Sequence, residues 1–185
     1  MRPQAIIIVA SLFLVGIAII AIGLGGYHKV GEIQTLEAQT ESLRTDYPEF
    51  EHLRPATLAA LIEGNRNVLL IDVRRDEEYQ VSHIPGAAHL NTADKIASYL
   101  TTAAPLPDVV IFCSSSGVRS AKLLREMPEK WPLTAANLAG GIFAWANEGR
   151  PLVNEAQEAI RQVHPESRFH GRFLAPENRF PIEAE

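Results

Sequence analysis

The sequence contains a single cysteine, so the chain cannot form an internal disulfide bond. It also lacks a basic excess: 17 Lys and Arg stand against 22 Asp and Glu, a formal net charge of −5, which argues against a general nucleic-acid-binding protein. The six histidines show no metal-ligand spacing, so we expect no metal site. Because 185 residues without an internal repeat are too few for two full domains, we expect one domain with an appendage.

Long apolar runs are confined to the N-terminus. Residues 5–26 read AIIIVASLFLVGIAIIAIGLGG and contain no charged side chain. At about 1.5 Å per residue, a helix of this length spans a hydrocarbon core of roughly 30 Å, so we predict one transmembrane helix. A cleaved signal peptide is the alternative, because Ala21-Ile22-Gly23 resembles a cleavage site. We favour the anchor, since the run exceeds the roughly 7–15 apolar residues typical of a signal peptide.

The charges that flank this run hardly decide its orientation. Arg2 and the α-amine precede it, and Lys29 is the only Lys or Arg soon after it. A very short basic N-terminus resembles a signal anchor that exports the domain on its C-terminal side. We therefore expect a single-pass membrane protein whose soluble domain is extracytoplasmic, and periplasmic in a Gram-negative bacterium.

Changes in composition divide the chain into five parts. We assign residues 1–4 to a short N-terminal tail, 5–26 to the anchor, 27–50 to a stalk, 51–153 to the domain and 154–185 to a C-terminal extension. The stalk is predicted to be helical, because one helical face collects Ile33, Leu36, Thr40 and Leu43. We expect this helix to act only as a stalk that joins the membrane anchor to the domain.

The C-terminal extension begins with EAQEAIRQV, residues 155–163, which predicts a short helix that ends before Pro165. The remainder has three prolines and no periodicity, so we expect a surface tail. Arg-Phe recurs in it at Arg168-Phe169, Arg172-Phe173 and Arg179-Phe180. The alternative is that these Phe side chains dock on the domain near the mouth of the active site.

Short apolar runs alternate with helical patterns through the domain. Strands are predicted at residues 68–73, 109–112 and 135–138. Helices are predicted from a Thr57 N-cap to a Gly64 stop, from an Asp76 N-cap, over 93–100 and 119–127, and after Gly140-Gly141. This alternation predicts an α/β fold with a mainly parallel sheet covered by helices on both faces.

The chemistry centres on Cys113, which directly follows the strand at 109–112. A loop of small residues comes next, and a helix begins near Arg119. Successive loop N–H groups can form an anion-binding nest, to which the helix adds its positive dipole end. We expect this setting to lower the pKa of the thiol and make Cys113 a nucleophile. A buried, inert cysteine is the structural alternative.

Three blocks of residues 55–153 resemble the rhodanese domain, a sulfurtransferase family. The first is Leu70-Ile71-Asp72-Val73-Arg74, with Glu78-Tyr79 and His83-Ile84-Pro85-Gly86-Ala87. The second is the cysteine loop with Arg119-Ser120. The third is Leu138-Ala139-Gly140-Gly141, with Ala144-Trp145 and Gly149-Arg150-Pro151.

The resemblance implies persulfide chemistry at Cys113. The thiolate would take a sulfane sulfur from thiosulfate or a persulfide, hold it as a persulfide, and pass it to cyanide or a thiol. The substrate-binding residues would be Ser114, Ser115, Ser116, Gly117, Val118 and Arg119, whose N–H groups would stabilise the persulfide anion. The supporting residues would be Asp72, Arg74 and Ser120. No metal or organic cofactor is implied.

Two departures from the family pattern keep other functions open. The Cys-x5-Arg loop is one residue longer than in most single-domain rhodaneses, and the related cell-division-cycle phosphatases and arsenate reductases use this length for a tetrahedral oxyanion, which Arg119 would chelate. Against a phosphatase, Phe112 precedes the cysteine and the loop has no carboxylate. Residues 114–116 are all Ser where many rhodaneses place an Arg, which leaves room for a protein or low-molecular-weight persulfide donor. A non-catalytic rhodanese module that binds a partner at the membrane is the third alternative.

Two further residues have competing roles. Asp72 ends a buried strand, where its carboxylate either orients Arg119 or, as we favour, pairs with Arg74 or caps backbone N–H groups. His83 is a candidate general base, but the resemblance implies that it stabilises a turn.

Overall fold

The computed structural model describes residues 35–64, 66–102, 105–127 and 134–182. The predicted anchor at 5–26 and the tail at 1–4 lie outside these residues. Within the described ranges, no helix is both long enough and apolar enough to cross a membrane.

A sheet of five parallel strands forms the centre of the domain, in the order β1-β5-β4-β2-β3. The strands are β1 (Glu51–Leu53), β2 (Val68–Asp72), β3 (Ala88–His89), β4 (Val109–Cys113) and β5 (Ala135–Leu138). Because β2 and β4 are central and covered on both faces, their sequences are nearly continuous apolar runs. The prediction of a mainly parallel sheet is confirmed.

Helices cover both faces of the sheet. They are α1 (Leu36–Asp46), α2 (Pro55–Glu63), α3 (Asp76–Val81), α4 (Ala93–Thr102), α5 (Val118–Glu126) and α6 (Gly141–Asn147). One apolar cluster joins Leu58 of α2 and Phe143 of α6 to Ile111 of the sheet. A second joins Ile96 of α4 and Leu124 of α5 to its other face.

The first turns of two helices differ from the prediction. Helix α2 begins at Pro55 with Arg54 as its N-cap, so Thr57 lies inside the helix. Proline suits this first position because it has no N–H to leave unpaired. Helix α3 is capped by Arg75, and Asp76 is its first helical residue. Gly64 ends α2 as predicted.

The segment predicted as a stalk contains helix α1, but this helix packs on the domain. Leu36 belongs to the main core cluster, and Leu43 packs with Tyr47 and Ala121. Arg44 adds a hydrogen bond from its Nη2 to the carbonyl of His52, 3.2 Å away. Residues 36–46 are therefore part of the folded unit, because their apolar face is buried against it.

The helix predicted at residues 155–163 does not form. A two-stranded antiparallel hairpin stands there instead, made of β6 (Leu152–Val153) and β7 (Ala159–Ile160). Its turn contains Gln157 with φ of 60°. This left-handed conformation reverses the chain, which a continuous helix cannot do.

The rest of the C-terminal extension docks on the domain, as in the alternative prediction. Val163, Phe173 and Leu174 are buried in the main core cluster, whereas Phe169 is exposed. Two short 3₁₀ helices, His170–Phe173 and Pro176–Asn178, complete the segment. Asn147 of α6 holds it through a 2.7 Å hydrogen bond from Nδ2 to the carbonyl of Phe173. The extension is therefore a fixed layer of the domain.

Candidate active site

Cys113 is the last residue of β4, at the carboxyl edge of the sheet. It lies beside Asp72 in the β2–β4 register, and its side chain is almost fully buried. Helix α5 begins five residues later, after Gly117 turns the chain with φ of 92°. The order of strand, cysteine, loop and helix matches the prediction. Open α/β sheets bind ligands at this edge.

Side chains of the loop fix its shape from within. Ser114 Oγ accepts hydrogen bonds from the N–H groups of Gly117 and Ser120, each at 3.2 Å. Ser120 Oγ lies 3.0 Å from Ser114 Oγ and donates to Asn137 Oδ1 at 2.6 Å. Asn137 Nδ2 in turn lies 3.2 Å from His52 Nδ1. Ser114 and Ser120 thus connect the loop to β1 and β5.

Helix α6 binds the carbonyl groups of the same loop. The N–H groups of Ile142 and Phe143 donate to the carbonyls of Ser114 and Ser115, at 2.9 and 3.0 Å. This contact requires Gly141, because a Cβ there would collide with the carbonyl of Ser114 and lie 2.6 Å from that of Ser115. Gly140-Gly141 therefore allows α6 to approach the loop closely, as well as allowing the turn.

The loop retains backbone donors for a ligand. Among the described residues, the N–H groups of Ser115, Ser116 and Val118 meet no protein acceptor. Since α5 begins at Val118, the last of these also lies at the positive end of a helix dipole. Such N–H groups can stabilise an anion that forms on the Cys113 sulfur.

The terminal nitrogens of Arg119 are already engaged by other side chains. Nη1 and Nη2 donate to the two carboxylate oxygens of Glu78, at 2.8 and 2.7 Å. Nη2 also donates to Ser115 Oγ, which itself donates to Glu78 Oε1. The phosphatase and arsenate reductase alternatives need Arg119 to chelate a tetrahedral oxyanion, whereas here the buried carboxylate of Glu78 binds both terminal nitrogens of the guanidinium.

Glu78 is a site residue that the sequence reasoning missed. Its side chain is fully buried, and it also accepts hydrogen bonds from the backbone N–H and the Nε of Arg75. Burial alone raises the pKa of Glu78, but the hydrogen bonds and charge of Arg119 outweigh it and lower the pKa to about 2. Glu78 is thus ionised at neutral pH and ties α3 to the loop.

The expected lowering of the Cys113 pKa is wrong for this state of the protein. Burial raises the pKa of the Cys113 thiol, and the neighbouring Asp72 carboxylate raises it further. Arg74, the N–H of Ile142 and Arg119 oppose this effect but do not overcome it. The sulfur is therefore held as a thiol at neutral pH, because desolvation penalises the thiolate more than the loop stabilises it.

Asp72 and Arg74 form a buried ion pair. Arg74 Nη2 lies 2.8 Å from Asp72 Oδ2, and Arg74 Nε donates to both carboxylate oxygens at 3.0 Å. Arg74 also donates to the carbonyls of Glu78 and Ser82. Asp72 therefore takes the structural role, since its partner is Arg74 and not Arg119.

His83 forms an isolated β-bridge with Val153, two residues before the turn at Pro85-Gly86. Its ring stacks on Tyr79 with centroids 3.9 Å apart, and its Nδ1 lies 3.1 Å from the Tyr79 carbonyl. Its backbone pairs with Val153 of β6 in both directions. These contacts stabilise the turn, the role that the family resemblance implies.

A cavity of about 270 Å³ lies against the loop. Its walls are Gln39, Ser114, Ser116, Val118, Arg119, Lys122, Glu166 and His170. Helix α1 and the C-terminal extension therefore complete the site. The recurring Arg-Phe pairs had suggested this for the extension, but no local sequence signal suggested it for α1. In the portion of the chain with described coordinates, no group of three His, Cys, Asp or Glu side chains could hold a metal ion.

Comparison with known proteins agrees with this architecture. Residues 54–148 match the rhodanese-like domain family. The chain is 34% identical over 103 residues to "Putative sulfurtransferase YtwF" of Bacillus subtilis, a match that covers 56% of this chain and 97% of that protein. It is 33% identical over 97 residues to "Sulfurtransferase" of Allochromatium vinosum, a match that covers 52% of this chain and 89% of that protein.

A solved structure shares the fold. The thiosulfate sulfurtransferase from Pseudomonas aeruginosa superposes with a TM-score of 0.53 at 24% identity, over 64% of this chain and 23% of that chain. The chain belongs to the rhodanese-like domain family and, with sulfurtransferases as its relatives, is a rhodanese-like sulfurtransferase. The extension after residue 153 lies outside the matched range.

Proposed function

We propose that the chain transfers a sulfane sulfur through a persulfide on Cys113. The observation that carries this proposal is the placement of the single cysteine at the end of β4, followed by a loop in which the N–H groups of Ser115, Ser116 and Val118 meet no acceptor among the described residues. A persulfide on Cys113 is a diffuse anion. The unpaired N–H groups and the start of α5 can stabilise it without a cofactor.

The reaction consists of two balanced steps. In the first, Cys113 gives up its proton and its sulfur attacks the terminal sulfur of a persulfide donor, whose S–S bond breaks as the Sγ–S bond forms. The departing thiolate takes up the proton, so Cys113–SH and R–S–S⁻ become Cys113–S–S⁻ and R–SH. In the second, HCN or a thiol takes the terminal sulfur and Cys113–SH is restored. With thiosulfate as donor, the thiolate attacks and sulfite leaves. No external oxidant is required, because the transferred sulfur atom has oxidation state zero before and after each step.

The buried thiol favours a donor whose leaving group accepts a proton. A departing thiolate is basic and can take the proton that Cys113 must lose, whereas sulfite is a weaker base. A persulfide donor is therefore better matched than thiosulfate to a cysteine whose pKa burial has raised. The three Ser side chains of the loop, which carry no charge, agree with this choice.

Turnover of the full-length chain in detergent tests the proposal. Supplied with a persulfide donor and cyanide, the wild-type chain should form thiocyanate catalytically, and Cys113→Ser should form none above the uncatalysed rate. Equal rates for the two chains would refute the proposal and favour the non-catalytic module. Hydrolysis of an aryl phosphate that is lost in Arg119→Ala would instead support the phosphatase or arsenate reductase alternative, which the engagement of Arg119 by Glu78 disfavours.

We also propose that residues 5–26 anchor the domain to a membrane and that the domain lies outside the cytoplasm. The uncharged apolar composition of this run supports the anchor. A reporter that is active only outside the cytoplasm, fused after Glu185, should be active. Activity of a cytoplasm-specific reporter at the same point would contradict the proposed orientation.

A further inference from the structure

The C-terminal extension places one acidic side chain over the active loop. Glu166 Oε1 lies 3.4 Å from Arg119 Nε, and Oε2 lies 3.9 Å from His170 Nδ1. Glu166 lines the cavity of about 270 Å³ and also the wider groove beside it. Because it lies outside the range that matches the family, it belongs to this chain's own extension.

The backbone holds Glu166 in an unusual conformation. Its φ is 66°, in the left-handed region that disfavours residues with a side chain. The position is fixed by a hydrogen bond from Arg75 Nη2 to the Glu166 carbonyl at 3.1 Å, and by one from the Glu166 N–H to His164 Nδ1 at 3.1 Å. Residues held against such strain cluster at functional sites.

Two polar atoms in the cavity wall lack hydrogen-bond partners. Arg119 Nε is a buried donor, and its contact with Glu166 does not have hydrogen-bond geometry. Gln39 Oε1 is a buried acceptor from α1, on the same cavity. Both atoms are closed to solvent, so pairing with a ligand's acceptor and donor requires a small shift of the Arg119 and Gln39 side chains, which the cost of unpaired buried polar atoms favours.

The charges of the wall are also mixed. Lys122 attracts an anion, whereas Glu166 repels one and attracts a cation; the charge of Arg119 is already balanced by Glu78. Thiosulfate is a dianion without hydrogen-bond donors, so it meets the Glu166 carboxylate and leaves Gln39 Oε1 unpaired. A small persulfide with an ammonium and a carboxylate group satisfies both kinds of wall atom.

We propose that Glu166 is a specificity-determining residue that makes the site select an amino-acid persulfide over thiosulfate. The ammonium group of the donor would approach Glu166 and Gln39 Oε1, and its carboxylate would approach Lys122 and Arg119 Nε. The proposal rests on the proposed function and names its donor class. The transfer is the first step of the proposed reaction, with Cys113–SH and the donor's R–S–S⁻ as reactants and R–SH as the leaving thiol.

The test compares donors in the first half-reaction. The second-order rate constant for persulfuration of Cys113 is measured by rapid quench and mass spectrometry on the full-length chain in detergent. The donors are cysteine persulfide, 3-mercaptopropionate persulfide, which lacks the ammonium group, and thiosulfate. The variants are Glu166→Gln and Glu166→Gly, since Gly adopts the positive φ without strain and keeps the fold testable. Glu177→Gln, an exposed change elsewhere in the extension, is the control.

Wild-type chain and control should prefer cysteine persulfide over the other two donors. Both Glu166 variants should raise the rate constant for thiosulfate about tenfold and lower that for cysteine persulfide several-fold. In these variants the rate constants for cysteine persulfide and 3-mercaptopropionate persulfide should therefore differ less than in wild type. Donor ratios within twofold of wild type in both variants would overturn the proposal. Persulfuration by none of the donors in any chain would instead refute the proposed function itself, and this inference with it.

Discussion

Arg119 and Glu78 form a bidentate ion pair between the end of the active loop and helix α3. Arg119 Nη1 lies 2.8 Å from Glu78 Oε2, and Nη2 lies 2.7 Å from Oε1. Glu78 is fully buried, and the Arg119 side chain retains 30% of its exposure. The arginine that follows the cysteine loop therefore braces the loop, and its Nε is buried 3.4 Å from Glu166 Oε1. The unpaired backbone N–H groups of the loop remain available to stabilise an anionic sulfur bound to Cys113.

This ion pair predicts a loss of stability in acid. Because the folded-state pKa of Glu78 is lowered from 4.5 to about 2, its contribution is present above pH 4.5 and is lost as the pH falls towards 2. The linkage amounts to about 3 kcal/mol of unfolding free energy. We therefore expect the unfolding free energy of wild type, measured with urea, to fall by about 3 kcal/mol more between pH 6 and pH 2 than that of Glu78→Gln.

The neighbouring Glu77→Gln is the matched control, since the Glu77 side chain is more than half exposed. It should follow the wild-type pH profile. Parallel profiles for wild type and Glu78→Gln would show that the buried carboxylate is not the group whose protonation weakens the fold.

A second prediction concerns Gly141. Both Gly141 and Gly149 have positive φ, 57° and 69°, but only at Gly141 would a Cβ meet the loop carbonyls. Gly149→Ala should cost about 1 kcal/mol of unfolding free energy from its backbone conformation alone. Gly141→Ala should cost at least about 2 kcal/mol more, because the loop must shift away from α6.

Thermal or urea unfolding measures this difference. Gly141→Ala should also slow persulfuration of Cys113, since the loop N–H groups move with the carbonyls of Ser114 and Ser115, and Gly149→Ala should not. Equal stability of the two variants would mean that the approach of α6 to the loop is looser than the structure indicates.

The third prediction is a pH profile for the thiol. Burial raises the pKa of Cys113, so the thiolate fraction should grow about tenfold per pH unit from pH 7 to 9. Alkylation by iodoacetamide reports this fraction without ambiguity, because the chain has no other cysteine. The logarithm of the rate should rise steadily with pH. An alkylation rate that stops rising below pH 8 would contradict a raised pKa of Cys113. It would instead support the lowered pKa that the loop and the helix dipole predict.

The central strands were predictable because their signal is local. β2 and β4 lie between helices on both faces, so their continuous apolar runs identify them. β1 and β3 contain three and two residues, too few for any periodic signal. Residues 155–163 have a composition that favours a helix, but pairing of Leu152 with Ile160 produced a hairpin instead.

The cysteine loop could be located from the sequence, but its surroundings could not. Arg119 lies 41 residues from Glu78, and any of several acidic residues in that region could have been its partner. Gln39 and Glu166 reach the cavity only because α1 and the extension dock on the domain. Such contacts depend on tertiary packing, which leaves no spacing pattern in the chain. The same packing buries Cys113 and reverses the expected pKa shift.

The most direct test of sulfur transfer through Cys113 is the mass of the protein after exposure to a sulfur donor. The full-length chain, treated with cysteine persulfide and freed of excess donor, should gain one sulfur atom, about 32 Da, on the peptide that contains Cys113. Cyanide should remove the added mass as thiocyanate, and Cys113→Ser should never acquire it. Absence of the adduct in wild type, or an adduct that survives Cys113→Ser, would contradict sulfur transfer through this cysteine.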